Sequence, residues 1–293
     1  MDDISDPVLR QIDELYGAAD GLSISYARKH QRTLLCTALL GTLLTFFFLL
    51  YDEVNLYGMI FACGVLLVFL FVISHLSNKW ETHQKYLEYR VLAETLRVQF
   101  YLYSAGINVH VRELLPWSTK TSVPWILDIL DTVDVSVPKE KQSILGFWVN
   151  DQKSYHERAL KKAEHQNAIN NRVCNTTLLV TVGLYFATLL FELVIGRKEN
   201  LSFDVENVRT VLKILLGTMS AVTLFMSSYY GKMSLQNVID DYRRMIGLYR
   251  QVKKEITDNG ENEEVALYLA RECLNENSVW YRYQSRNAAD MNI

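Results

Sequence analysis

Proline is almost missing from this chain, and where it occurs a helix can tolerate it or must end. Four are present in 293 residues: Pro7, Pro116, Pro124 and Pro138. Proline breaks a helix interior but is accepted in its first turn, so the long proline-free stretches are open to long helices. Cysteine is equally scarce. Cys36, Cys63, Cys174 and Cys273 are scattered and form no CxxC pair, which excludes a disulfide framework or a cysteine zinc site and leaves four small apolar residues. Catalytic motifs are missing as well: there is no phosphate-cradling glycine loop, HExxH pair, GxSxG elbow or EF-hand loop. His30, His75, His83, His110, His156 and His165 are dispersed, with no pair four apart. Asp128, Asp131 and Asp134 recur every third residue, but a hard cation needs more oxygen ligands than they supply, so they read as the wet side of a helical turn. No catalytic, cofactor or metal residue is assigned, and no enzyme is expected. With a net charge of -3, no nucleic-acid partner is expected either.

What the chain does have is apolar blocks. Mean hydropathy is +0.02 and 22% of residues are charged, yet four stretches, 33–51, 57–76, 176–196 and 211–229, are almost wholly apolar. Each is about 20 residues, the length of helix that crosses the roughly 30 Å hydrocarbon core of a bilayer. The first is preceded by a polar segment of 32 residues, is too long for a signal-peptide core and lacks a small-residue cleavage pattern. All four are expected to remain as membrane spans.

Basic residues near span ends set orientation, because short loops rich in Lys and Arg stay in the cytoplasm. Arg28, Lys29 and Arg32 precede the first span; Lys79, Lys85 and Arg90 follow the second. Arg158, Lys161, Lys162 and Arg172 precede the third, and Lys232, Arg243 and Arg244 follow the fourth. The 52–56 connection has no basic residue, whereas the second outer loop holds Arg197, Lys198 and Arg209 against Glu199, Asp204 and Glu206. The larger inner excess is expected to place both termini and the central segment in the cytoplasm.

Helical periodicity continues beyond the spans. Asp6 before Pro7 reads as an N-cap, and Val8, Leu9, Ile12, Leu15, Tyr16, Ala19, Leu22 and Tyr26 keep one face up to the first span. After Leu76 no breaker occurs until Gly106. The fourth helix continues through Leu235, Val238, Ile239, Tyr242, Met245, Ile246, Tyr249, Val252 and Ile256. The expected fold is an all-α membrane protein whose four spans, in hairpins 1–107 and 143–258, extend into a cytoplasmic antiparallel four-helix bundle. Residues 108–142 form a cytoplasmic cap, and 259–293 an extra C-terminal helix and tail. An offset of about 150 residues between Gln84, Tyr89, Arg90 and Gln236, Tyr242, Arg243 fits either hairpin duplication or chance.

Charges inside spans are functional candidates. Glu192 and Lys213 are expected either to pair with each other across the outer leaflet or to snorkel separately. Thr37, Gly41 and Thr45 in the first span, and Gly217, Ser220, Ala221 and Ser227 in the fourth, mark either close helix packing or, once subunits assemble, an aqueous path. In the stalk, Arg90, Glu94 and Arg97 form a ladder at four- and three-residue spacing. Exposed links of this kind are worth about 0.2–0.5 kcal/mol each, so the ladder reads as a solvated face.

Tyr89, Arg90, Ala93, Glu94, Leu96 and Arg97, in the run EYRVLAETLR after a two-span hairpin, resemble the SLATT group of bacterial membrane effectors. Asp13, Ala18, Ala19 and Asp20, then Phe147, Trp148, Gln152 and Tyr155, and finally the run EEVALYLARECLNENSVWYRYQSR are similar to it too. The resemblance implies an effector of nucleotide-dependent antiviral systems, encoded beside a nucleotide synthase or a SLOG-type sensor, that breaches the inner membrane. This chain departs from the two-span form in having four, and it carries no recognisable sensor domain. The expected function is therefore a homo-oligomeric effector that forms a pore or perturbs the bilayer when its cytoplasmic part is triggered. The alternatives are a membrane anchor or scaffold for a cytoplasmic signalling enzyme and a small-solute transporter, the latter weakened by the lack of an intramembrane string of charges.

Overall fold

The computed structural model describes residues 6–133, 141–194, 205–233 and 235–289. Among these residues the chain is helical and contains no strand. Asp134 and Pro138 of the cap, Gly196 at the end of the third span, and Arg197, Lys198, Glu199 and Asp204 of the second outer loop lie outside the described residues.

Helix α1 (Pro7–Val54) starts as its sequence dictates: the Asp6 carboxylate accepts from Val8 N (2.9 Å) and Leu9 N (3.3 Å), and Pro7 fills the first helical position. Its 48 residues rise about 72 Å at 1.5 Å each. Asn55, in the left-handed region at φ 58°, turns the chain into α2 (Met59–Lys79). The helix expected to run on unbroken past Leu76 instead stops at Lys79: Glu81 is left-handed (φ 49°, ψ 37°), and α3 (Thr82–Ser104) starts anew. No glycine or proline marks that break, which is why spacing alone passed over it. By contrast α3 ends where glycine allows. Gly106 (φ 73°) closes a Schellman motif, with Gly106 N donating to Tyr103 O (2.8 Å) and Ile107 N to Leu102 O (3.0 Å).

The cap contributes three short helices, α4 (Val111–Leu114), α5 (Trp117–Ser122) and α6 (Trp125–Leu130), the last two following Pro116 and Pro124. Asp131 ion-pairs with Arg112, so its carboxylate is already engaged. Among the described residues no group of His, Cys, Asp and Glu is placed to hold a metal. A π-helical turn (Ile144–Val149) then leads into α7 (Asn150–Val194), followed by α8 (Val205–Met233), α9 (Leu235–Asn259) and α10 (Glu263–Ala289).

These helices form two compact units. The first gathers Met1–Lys29, Glu81–Lys161 and Ile239–Ile293; the second gathers His30–Trp80 and Lys162–Val238. Unit 1 has an ordinary water-soluble core, in which Ile12, Leu87, Leu96, Leu102, Ile126 and Leu130 are fully buried. The α9 stripe buries Ile239, Met245, Ile246, Tyr249, Val252 and Ile256. Helix α10 packs chiefly on α3 through Ala266, Leu269, Ala270 and Leu274, and Asn277 Nδ2 donates to Val91 O (3.2 Å).

Unit 2 is apolar on its outside. Phe61, Phe71, Leu179 and Leu224 are each more than two-thirds exposed, an arrangement water would penalise and lipid would not. Among the described residues, four helices are long and apolar enough to cross a membrane. Inside unit 2, small residues let helices approach: the Phe225 ring fills the space a Cβ on Gly41 would need, and Leu49 does the same at Gly217. Thr181 and Thr223 join α7 to α8 by a hydroxyl hydrogen bond of 2.9 Å.

Candidate functional site

The most concentrated polar chemistry lies inside unit 1, around the ladder on α3. Residues four and three apart share a helix face, so Arg90, Glu94 and Arg97 point the same way. Arg90 Nη2 meets Glu94 Oε1 at 2.5 Å, and Arg97 Nη1 meets Glu94 Oε2 at 3.0 Å. Other helices close over them. From α1, Asp20 pairs with Arg90 (3.3 Å) and the Tyr16 hydroxyl accepts from Arg97 Nη2 (2.8 Å). From α7, Tyr155 lies under the Arg97 guanidinium (5.3 Å to its centroid). His156 stacks on Tyr249 of α9 (5.6 Å) and lies against Tyr242 (5.7 Å). Tyr249 reaches the Cys273 thiol of α10 at 3.5 Å.

The expected solvated ladder is therefore an interior one. The Arg90, Glu94 and Arg97 side chains are 27%, 23% and 14% exposed. Sequence spacing could place them on one face but could not say that four other helices cover it. Burial disfavours the Glu94 charge, yet Arg90 and Arg97 hold its carboxyl below the usual range. Burial likewise opposes the charge on both arginines, and Glu94 more than restores it. Breaking such a pair by removing one partner costs about 3–5 kcal/mol when fully buried, and less at this partial exposure.

A second shell of rings surrounds the ladder. Tyr89 stacks on Tyr26 (5.8 Å) and meets Trp125 edge-on (5.5 Å), and Trp125 Nε1 donates to Glu88 Oε2 (2.8 Å), fastening the cap to α3. The Tyr101 hydroxyl donates to Asp151 (2.7 Å) and accepts from Gln152 (2.6 Å); burial, then Asp151, pushes its pKa well up. Residues from separate stretches thus converge on the ladder, Asp20 on Arg90 and Tyr16 and Tyr155 on Arg97, with Gln152 and Trp148 gathered around Tyr101.

Residues 16–109 match the model of a family described as a protein of unknown function, DUF4231. They amount to about a third of the chain. The match takes in Tyr16, Asp20, Arg90, Glu94 and Arg97, and stops short of Tyr155, His156 and Tyr249. No curated protein and no solved structure matches this chain.

The charges of Asp20, Arg90, Glu94 and Arg97 cancel and are mutually paired. What the cluster does is join α1 to α3 through charges that cannot be separated without leaving one uncompensated, and α7, α9 and α10 to them and to one another through the Tyr155, His156 and Tyr249 rings and the Cys273 thiol.

Unit 2 distributes its polar residues differently from the sequence expectation. Glu192 does not bond Lys213. Its carboxylate takes a two-point contact from Arg209 (Nε 2.6 Å, Nη2 3.1 Å), while Lys213 pairs with Glu53 of α1 at 2.9 Å. Arg209, one turn earlier on α8, offers a planar fork that fits a carboxylate better than an ammonium does, and Lys213 is left to the other hairpin. Helix α8 is thereby tied to α7 and to α1. The small and hydroxyl residues also separate. Gly41, Gly217 and Ala221 face neighbouring helices or are buried, whereas Thr37, Ser220 and Ser227 are exposed. Thr37, Thr45 and Ser220 return their hydroxyls to carbonyls one turn back, Thr33 O, Gly41 O and Leu216 O.

Proposed function

We propose that this protein is a membrane effector of a bacterial nucleotide-signalling antiphage system. It assembles with copies of itself in the inner membrane and, when its cytoplasmic part is triggered, forms a pore or perturbs the bilayer. The observation that carries this reading is that α1 (Pro7–Val54) and α7 (Asn150–Val194) each contribute residues to both units. One helix therefore holds a partner in the Arg90–Glu94–Arg97 cluster at one end and a spanning stretch at the other. A change in the cluster has a covalent route to the lipid-facing residues, and packed helices switch between discrete arrangements. The trigger in this reading is a separate nucleotide synthase or sensor protein, or a ligand it delivers. The exposed hydroxyls Thr37, Ser220 and Ser227 are the residues available to line a path between copies.

The test is inducible expression together with the neighbouring synthase or sensor while membrane potential is followed with a voltage-sensitive dye. Depolarisation within minutes of induction is expected. A membrane potential that stays intact in cells confirmed to contain the inserted protein refutes the reading. Retention of a cytoplasmic enzyme by the chain, without any conductance, assigns it instead as a scaffold.

A further inference from the structure

The turn joining α9 to α10 is three residues long, and both of its ends are fixed. Gly260 takes a left-handed conformation (φ 83°) that glycine adopts freely, its N–H donating to Ile256 O (2.9 Å). Asn262 caps α10, its Oδ1 accepting from Val265 N (2.8 Å). Between them, Glu261 reaches the start of the π-helical turn. Its carboxylate accepts from Ser143 Oγ (2.6 Å), Ile144 N (3.0 Å) and Leu145 N (2.9 Å), while Ser143 Oγ accepts from Gly146 N (3.0 Å). A residue 116 to 118 positions away thus supplies the cap that most helices take from their own first residues.

What this cap holds is an unusual register. A π turn carries an extra residue and occurs mostly as a single turn at a functional position. Here it seats Trp148 in the core, stacked on Tyr101 at 5.3 Å and 4°, and sets Asp151 and Gln152 at the Tyr101 hydroxyl. Gln142 N, just before the turn, donates to Ser104 O (2.7 Å) at the end of α3. Conversion of the π turn to α-helix shifts the register by one residue, a rotation of about 100°, and Trp148 and Asp151 cannot keep their partners through it. Two registers with different partners make a discrete switch, and Glu261 stabilises one of them.

We propose that Glu261 is a latch: the α9–α10 turn holds the start of α7 in its resting register, and release of this carboxylate is the step that frees α7 to change register. The role given to release rests on the membrane-effector reading above. Substitution Glu261→Ala removes all three acceptor contacts, and Leu269→Ala serves as a comparison that weakens the same unit by packing alone.

The experiment uses the full chain in vesicles of phosphatidylethanolamine and phosphatidylglycerol, read by hydrogen exchange and by release of an entrapped dye. For Glu261→Ala, exchange at residues 144–146 is expected to rise about tenfold, as loss of a helix cap implies, and the rise to continue through 150–156. Dye release is expected to exceed that of wild type and of Leu269→Ala. Exchange confined to 144–146 with unchanged release overturns the proposal, as does equal release from Glu261→Ala and Leu269→Ala. The effector reading is judged separately, by depolarisation of cells carrying triggered wild type. If those cells depolarise while Glu261→Ala is silent in vesicles, the latch falls and the reading stands. If they never depolarise but exchange spreads along α7 in Glu261→Ala, the reading falls and the register coupling stands.

Discussion

In unit 1, burial moves the ionisation of His156 and Asp241 toward each other. His156 packs between the Tyr242 and Tyr249 rings, and its buried Nδ1 has no hydrogen-bond partner. Burial lowers its pKa to about 4; Glu94 pulls the other way, and Arg97 and Arg90 add to the lowering. Asp241 shares the Arg244 guanidinium with Glu276 across α9 and α10. Burial, then the Glu276 charge, raises it to about 6, with Arg244 opposing and Asp240 adding to the rise. The signs are opposite. Between pH 6.5 and 4 the unfolded chain binds a proton at His156 that the fold excludes, so stability is lost as pH falls. Between pH 6 and 3.8 the fold binds a proton at Asp241 that the unfolded chain does not, so stability is gained over nearly the same window. Each effect is on the order of 3 kcal/mol before allowance for partial exposure, and the two nearly cancel in wild type. Single substitutions separate them. Asp241→Asn should leave His156 unopposed and lower the thermal midpoint by about 5 °C or more between pH 6.5 and 4.5. His156→Phe, which keeps a ring between the two tyrosines, should hold its midpoint or raise it over the same interval. Thermal scans of the full chain in lipid nanodiscs measure this, and equal acid shifts in wild type and both variants would show that neither group titrates as argued.

At the scale of elements, the break between α2 and α3 rests on Glu81 in a left-handed conformation. For a side chain with a Cβ that conformation costs roughly 1–2 kcal/mol, and Glu81 makes no side-chain cap bond to offset it. Glu81→Gly is expected to raise the thermal midpoint of the full chain, corresponding to about 0.5–1 kcal/mol after the added unfolded-state entropy of glycine. Glu81→Val should lower it, because a β-branched residue fits that region worst; a fall in both variants would mean that the Glu81 side chain holds the break by a contact. The same break shows what sequence could and could not reveal. Asn55 and Gly106, which also turn left-handed, are residues that tolerate the conformation, one inside the expected 52–56 connection and the other the expected helix breaker; Glu81 is neither. Apolar length marked the spans, and Asp6 before Pro7 marked the start of α1. All of these are local signals. The cover over Arg90, Glu94 and Arg97, the Glu192–Arg209 contact and the Glu261 cap each join residues far apart in sequence. Periodicity tells which residues share a face and leaves open which helix lies against it.

At the scale of the whole molecule, the composition of unit 1 constrains how the chain crosses the bilayer. The unit has one buried core drawn from three pieces of chain, Met1–Lys29, Glu81–Lys161 and Ile239–Ile293. Pieces that share a core lie on one side of a membrane, so the chain must cross an even number of times within His30–Trp80 and again within Lys162–Val238. Two spans in each satisfy this, and one or three do not. The packing of Ile12, Leu96, Trp148, Tyr249 and Leu274 in a single cluster is thus a second argument for two hairpins, independent of hydropathy. Which side unit 1 occupies is a matter of charge. Arg28, Lys29, Arg32, Lys79, Lys85, Arg158 and Lys161 flank the spans on that side, against none in the 52–56 connection and Arg197, Lys198 and Arg209 in the second, and cytoplasmic retention of Lys and Arg leads us to propose that unit 1 lies inside. Reporters active only in the cytoplasm should therefore work when fused to either terminus, and a reporter inserted between Asn55 and Leu56 should be active only outside. Termini on opposite sides would be incompatible with the shared core. Both termini outside would reverse the orientation while leaving the two hairpins intact, and would put the Arg90–Glu94–Arg97 cluster beyond the reach of any cytoplasmic trigger.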